Sequence, residues 1–281
     1  MNGPPRPRLS VLIITLNEER MLERVLRSVQ WADEIVVVDS GSTDRTPEIA
    51  RRYTEHFHVR PYEGHGLQRA RTLELSRGEW LLYVDADEVV TESLRDSILS
   101  AVADPAEAVA FRMQLHTWFF GRWIGRRGWR KEWKVRLFHR EHGRFDPRPI
   151  HEGVLVDGRV DTLKGALLHY PYRDIGHLAE KANRYSTAMA DARAASGRGS
   201  SAAMAVLRGA GRFIRDYLFG GDFLYGAPGL IRSTANGYYT FLKYAKLWER
   251  SRNREGPPHP DQTGATTRTA ERVHHPPFRR S

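Results

Sequence analysis

The chain has no cysteine among its 281 residues, which removes disulfides, thiolate metal sites and cysteine nucleophiles at once. Long apolar runs are also missing, since no stretch reaches the roughly 18 uncharged residues that a spanning helix needs. The opening MNGPPRPRLS has no apolar core of the secretory type, so no signal peptide is expected. No G-x-G-x-x-G follows the first apolar strand, which argues against a dinucleotide-dependent dehydrogenase. The stretch TLNEERM after that strand also lacks the glycine-rich, lysine-bearing loop expected of a nucleotidyltransferase. Acids are outnumbered, 34 Asp and Glu against 44 Lys and Arg, giving a formal charge of +10. That balance calls for an anionic partner: nucleic acid, a nucleotide-diphosphate compound or an acidic membrane surface.

What the chain does have is an apolar content of 40%, enough for a substantial core, and a regular alternation of elements. RLSVLIITL reads as a buried strand, and EERMLERVLRSV as a helix capped by Asn17, with Met21, Leu22, Val25, Leu26 and Val29 at helical spacing. EIVVVD is a second buried strand. A helix from Pro47, a short strand near HVRPY, a helix around LQRARTLELS and a strand in EWLLYVDADE follow. This alternation predicts an α/β, mostly parallel sheet flanked by helices over residues 8–117. From 118 to about 200 the pattern shifts to short β segments such as KVRLFHR and GALLHYPY, then a helix from Ile175 towards Ala195. Residues 201–250 form an amphipathic helical segment, and the proline-rich, polar stretch 251–281 reads as a disordered tail. Residues 1–7 read as a flexible start.

Two acidic strand ends stand out. Asp39 closes a strand of β-branched residues, at the sheet edge where open α/β folds bind ligands. It is either a hydrogen-bond acceptor for a ribose or base, or a shaper of the SGSTD turn. In YVDADE, an extended backbone places Asp85 and Asp87 on one side. Such a pair suits Mg²⁺ or Mn²⁺, whose coordination shell phosphate oxygens can complete; the alternative is that these acids and Glu88 start the next helix.

TLNEE, VVDSGSTDRT and VDADE thus end three strands at one sheet edge. With RLF followed by HE, and the late YYTFLKYAKLWE, they resemble in order the family 2 glycosyltransferases of the GT-A fold, in particular bacterial lipopolysaccharide core glycosyltransferases. The resemblance implies a Rossmann-like sheet. It implies that Thr15, Asn17 and Glu18 line a nucleotide pocket and that Asp39 holds the ribose or base. Asp85 would lie by the ribose and diphosphate, and Asp87, with Asp85, would bind the metal. In GLQRAR, Gln68 matches the family pattern, Arg69 replaces a lysine facing the diphosphate, and Ala70 replaces an asparagine. The implied reaction is inverting, metal-dependent transfer of a sugar from a nucleotide-sugar, a UDP-sugar first, to a hydroxyl of a cell-envelope glycan or glycolipid.

Residues 112–140 hold nine Arg or Lys against one acid, interleaved with four tryptophans. Three readings fit them: an acceptor site, a nucleic-acid surface, or a solvated face. In the glycosyltransferase setting the acceptor site is preferred and no nucleic acid is expected. FDPRPIHEG supplies Asp146, His151 and Glu152, and a carboxylate there is the candidate base for the acceptor hydroxyl. Glu152 is preferred, because Asp146 precedes Pro147 and suits a turn. His169 is either a contact to the metal and diphosphate or a core histidine. Residues 201–250, rich in Arg, Lys and aromatics, either lie on the inner face of the cytoplasmic membrane or cap the core.

Overall fold

The computed structural model describes residues 8–124, 131–146 and 153–252. Strands β1 (Leu9–Thr15), β2 (Glu34–Asp39), β3 (Phe57–Val59) and β4 (Trp80–Tyr83) run parallel in the order β3-β2-β1-β4. Their continuous apolar runs follow from burial on both faces. Val11, Ile13, Val37 and Leu82 enter one core, while Leu12, Val36, Leu81 and Tyr83 enter another on the opposite side. The connecting helices are α1 (Leu22–Val29), α2 (Thr46–Arg51) and α3 (His65–Leu75). On α1, Leu22, Val25, Leu26 and Val29 are buried, as the spacing predicts.

The chain then makes a short strand β5 (Glu88–Val90), helix α4 (Glu92–Ala103), and strands β6 (Ala108–Phe119), β7 (Arg122–Ile124) and β8 (Glu132–His139). Strands β9 (Gly143–Phe145) and β10 (Val154–Val156) form a separate hairpin, and β11 (Arg159–His169) returns to the main sheet. The full order is β3-β2-β1-β4-β8-β6-β11-β5, with β7 alongside β6. Strand β8 is inserted antiparallel between β4 and β6, and β11 is parallel to β6. Strand β6 spans residues 117 and 118, so the segments on either side of that expected boundary share one sheet.

Gly165 marks where β11 shifts register against β6. Its φ is +88°, and a Cβ there would lie 2.5 Å from the Leu94 nitrogen, so only glycine lets β11 pass this close to α4.

Helix α5 (Ile175–Ala195) is capped by Asp174, whose carboxylate accepts from the His177 N–H at 2.7 Å. Helix α6 (Ala202–Ile214) leads through a π-helical turn, Arg215–Phe219, and a 3₁₀ turn, Asp222–Tyr225, into α7 (Ala227–Arg252). Helices α6 and α7 touch at the backbone, where a Cβ on Gly209 would meet the Gly237 oxygen at 3.1 Å. No helix among the described residues is long and apolar enough to cross a membrane.

Candidate functional site

The site lies at the carboxyl ends of β1, β2 and β4, and its first part is a pair of stitched loops. Asp39 is buried, and its carboxylate accepts from the Gly41 and Ser42 N–H groups at 2.9 and 2.8 Å and from the Ser42 hydroxyl at 2.5 Å. The turn-shaping reading of Asp39 is therefore realised here. Asn17 does not cap α1, which starts five residues later without a side-chain cap. It adopts a left-handed conformation, φ 54°, accepts from the Thr43 N–H at 2.9 Å, and donates its own N–H to Ser42 Oγ at 2.8 Å. A short polar side chain tolerates that conformation while bonding locally, so Asn17 is used to join the two loops. Thr15 is buried, and its hydroxyl has no partner. Gln68, fully buried on α3, donates to Ser40 Oγ at 2.8 Å and to the Arg60 carbonyl at 3.1 Å, tying α3 to the same loop.

The second part surrounds Asp85. Strand β4 ends at Tyr83, and the chain turns at once, with the Glu88 N–H bonded to the Asp85 carbonyl at 2.9 Å. Asp85 and Asp87 are therefore not successive same-side residues of one extended strand; the turn sends them to different partners. Asp85 accepts from the Tyr83 hydroxyl and from Arg136 at 2.7 Å, and Arg69 lies 3.5 Å away. The two guanidinium groups stack over the Tyr83 ring, 4.6 and 4.5 Å from its centroid. Arg136 also donates to the buried Glu88 at 2.5 Å. Burial pushes the carboxyls of both acids up, but Arg136 and Arg69 hold Asp85 well below the usual carboxylate range, while Glu88, facing Asp85, stays raised. Asp85 is thus the member of the pair whose charge the two arginines favour.

Asp87 faces the other way. His169, at the end of β11, approaches its carboxylate at 3.5 Å. Burial would lower His169, yet Asp87 and the neighbouring acids leave it above the usual histidine range. Glu18 lies within electrostatic reach of Asp87, and burial together with the Asp87 charge pushes it up to about 7 against the opposing pull of Lys181 and Arg173 on and before α5. The two carboxyls make an acid-rich part of the edge, whose oxygens are of the type a divalent cation takes.

Asp146 is buried, and its N–H donates to the Gly153 carbonyl at 3.0 Å. That bond closes the base of the β9–β10 hairpin, and adjacent Phe145 packs edge-on against Tyr83 with centroids 5.5 Å apart. His151 and Glu152 lie outside the described residues. Within the basic stretch, Arg136 and Arg140 are committed to the fold, the latter bonding the Gly78 carbonyl at 2.7 Å and Ser76 Oγ at 2.8 Å. Sequence reasoning missed the role of Arg136, although the RLF motif contains it, and missed Tyr83 as the platform for both arginines.

The family model for glycosyl transferase family 2 matches residues 10–155, which contain this whole acidic edge except His169. This chain is a family 2 glycosyltransferase. The transferase is 31% identical over 253 residues to the lipopolysaccharide core biosynthesis glycosyltransferase LpsC of Rhizobium meliloti, covering 88% of this chain and 94% of that one. It is 28% identical to an uncharacterized glycosyltransferase of Rickettsia typhi, covering 87% of this chain and 88% of the relative. Among solved structures, the mannosyltransferase PcManGT of Pyrobaculum calidifontis, in complex with GDP-Man and Mn²⁺, aligns over 88% of each chain with a TM-score of 0.51 and 19% identity. That likeness concerns the fold, which is the GT-A type expected from the sequence. Neither the nucleotidyltransferase nor the non-catalytic nucleic-acid binder gains support from these relatives.

Removing Arg136 tests the electrostatic core of the site. Arg136→Ala leaves Asp85 and Glu88 facing each other with one cation fewer, and chemical denaturation should show a loss of about 3–5 kcal/mol at neutral pH. Because the folded-state Asp85 carboxyl is held low, its stabilisation is present above the ordinary carboxylate range and is lost as pH falls through the folded value. The deficit of the variant should therefore hold down to the ordinary carboxylate range and shrink only as the pH falls below it towards the depressed folded value. A deficit independent of pH would mean that packing, not charge, is what Arg136 supplies.

Proposed function

We propose that the transferase moves a sugar from a nucleotide-sugar, with a UDP-sugar as first choice, to a hydroxyl of a cell-envelope glycan or glycolipid such as lipopolysaccharide core. The observation that carries this reading is the acid-rich pair of Asp87 and Glu18 beside the anchored Asp85, at the edge where Thr15, Asn17, Asp39 and Gln68 gather. The similarity to LpsC over nearly its whole length supports the acceptor class.

In this reading Thr15, Asn17, Glu18 and Asp39 line the nucleoside, Gln68 fixes the loop beneath it, and Arg69 acts on the diphosphate through space while holding Asp85. Asp87 would hold Mg²⁺ or Mn²⁺, while Asp85, taken up by Arg136 and Arg69, would not share the ion as the resemblance implies; the metal would stabilise the departing diphosphate as a Lewis acid. The acceptor hydroxyl attacks the anomeric carbon from the face opposite the nucleotide, inverting it. Its proton passes to a carboxylate, for which Glu152 is preferred over Asp146, since the Asp146 side chain is buried at the hairpin base.

The enzyme is placed on the inner face of the cytoplasmic membrane. Leu207, Leu218, Phe219, Phe223 and Leu224 are exposed on α6 and the turns after it, with Arg208 and Arg215 among them. Apolar side chains flanked by arginine suit shallow insertion into an anionic surface.

Three measurements bear on this reading. Titration calorimetry with UDP and Mn²⁺ should show binding that Asp87→Ala weakens by roughly 10- to 100-fold or more. Binding should also weaken between pH 8 and 6, as Glu18 takes up a proton near pH 7, and Glu18→Gln should flatten that dependence. Nucleotide affinity is the proper readout, because His139, Glu141 and His142 form a second group able to hold a metal; equal UDP affinity in EDTA would remove the metal role. For the base, Glu152→Gln should lower turnover by roughly 10²- to 10⁴-fold with donor affinity intact; near-normal turnover there and collapse in Asp146→Asn would move the role to Asp146. In liposome flotation, Leu207→Glu with Phe219→Glu should weaken binding to anionic vesicles by tenfold or more, at about 1.5–3 kcal/mol per large apolar side chain. Unchanged flotation would leave the segment as a cap only.

A further inference from the structure

A cavity of about 270 Å³ opens between the sheet and the C-terminal helices. It is separated from the acidic edge by one side chain: His169 lines the cavity while its Nε2 lies 3.5 Å from Asp87. Tyr172, also in the wall, is within electrostatic reach of both Asp87 and Arg232. The near wall comes from the sheet, with Thr117, Phe119 and Glu132. The far wall comes from the turns after α6 and from α7, with Asp216, Asp222, Arg232 and Asn236.

The far wall is built from polar groups in a place where a helical cap needs only apolar ones. Asp222 is buried, accepting from Arg232 at 3.0 Å and from the Ser233 hydroxyl at 2.7 Å. Asp216 is buried, accepting from Arg212 at 2.5 Å and from the Asn236 amide at 3.0 Å. Burying charged pairs is costly and replaceable by apolar packing, so a pure cap gives no reason for two of them. Arg212 and Arg232 are each about one-third exposed and line the cavity. A guanidinium has five N–H donors, so each fork has donors beyond those its aspartate takes.

We propose that this cavity binds the acceptor sugar, and that the C-terminal helices supply the groups that read its hydroxyls. The inference rests on the glycosyl-transfer reading for its role, but the binding itself does not. A sugar hydroxyl both donates and accepts, and it is matched by planar donors and acceptors set side by side, with aromatic faces to cover the ring. Arg232, Asn236 and Glu132 supply the polar groups; Tyr172, Phe119 and Tyr225 supply the aromatic ones. Charge selects the class of ligand. Asp216 and Asp222 are paired with Arg212 and Arg232, and Glu132 with Lys134, so a neutral saccharide fits better than a phosphate or a second nucleotide. The volume is near the lower end of ligand clefts, about 300–1,000 Å³, which suits about one ring with the rest of the glycan outside.

Saturation-transfer NMR on the full chain with a panel of methyl glycosides of glucose, galactose and mannose tests this. At least one glycoside should receive saturation from the wild type, and its Kd should rise tenfold or more, to loss of signal, in Arg232→Gln and in the cavity-filling Ala235→Phe. The UDP signal with Mg²⁺ should persist in both variants, and UDP should not displace the glycoside. If Ala235→Phe does not fold by its melting curve, Arg232→Gln alone decides. Equal glycoside signals in wild type and variants, no glycoside signal at all, or displacement by UDP would each overturn the pocket. If glycosides bind and the variants lose them while UDP never binds, the pocket stands and the donor reading fails.

Discussion

Arg136 is the side chain on which the active edge depends. It comes from β8, a strand that arrives late in the chain and inserts between β4 and β6, and its guanidinium bridges Asp85 and Glu88 while covering Tyr83. The turn after β4 draws three acids inward, Glu88 fully and Asp85 and Asp87 in part. Without a cation from β8, two carboxylates would face each other in a medium that solvates neither. Arg69 also stacks over the same ring, so two cations hold the turn, and Phe145 packs edge-on against that ring from the hairpin base. The sheet order thus has a chemical reason at its centre.

The charges divide the molecule into zones with different tasks. Around Asp85, cations match anions, and the carboxylate is held in place. Around Asp87 and Glu18 the acids are in excess, with Lys181 and Arg173 offsetting only part of the repulsion. In the cavity beyond His169, opposite charges are paired again. An acid-rich edge beside a pocket whose charges are paired is what the proposed reaction between a charged donor and an uncharged hydroxyl would use, because each substrate would meet a field suited to it.

The parallel strands and α1 were legible because their burial follows simple periods: β1, β2 and β4 are covered on both faces, and α1 on one. The acidic edge was legible because Asp39, Asp85 and Asp87 follow apolar strands directly. The detail of that edge was not. Asn17 looked like a helix cap because position and residue type agree with one, but the bonds it makes go to a loop some 25 residues away, at Ser42 and Thr43. The same-side geometry of Asp85 and Asp87 assumed that the strand continues, and the turn at Glu88 ends it. Arg136 lies in a basic stretch whose composition suggests a surface, and only the placing of β8 beside β4 shows it to be interior. Asp216 and Asp222 carry no sequence signal that sets them apart, and only the packing of α6, α7 and the turns between them buries them.

The contact between Gly209 and Gly237 has a mechanical consequence. Two helices that meet through backbone, with Phe213 and Phe241 set close against the two glycines, have little freedom to slide or roll. The turns that join them at one end and the α7 residues that face the cavity therefore move as one body. If the exposed apolar turn rests in lipid, the height and tilt of the cavity above the bilayer are set by the helices as by a rigid stand. A glycolipid whose sugar extends a fixed distance from its anchor would then be measured as well as bound, and chains too short or too long would present the wrong ring to His169 and Asp87.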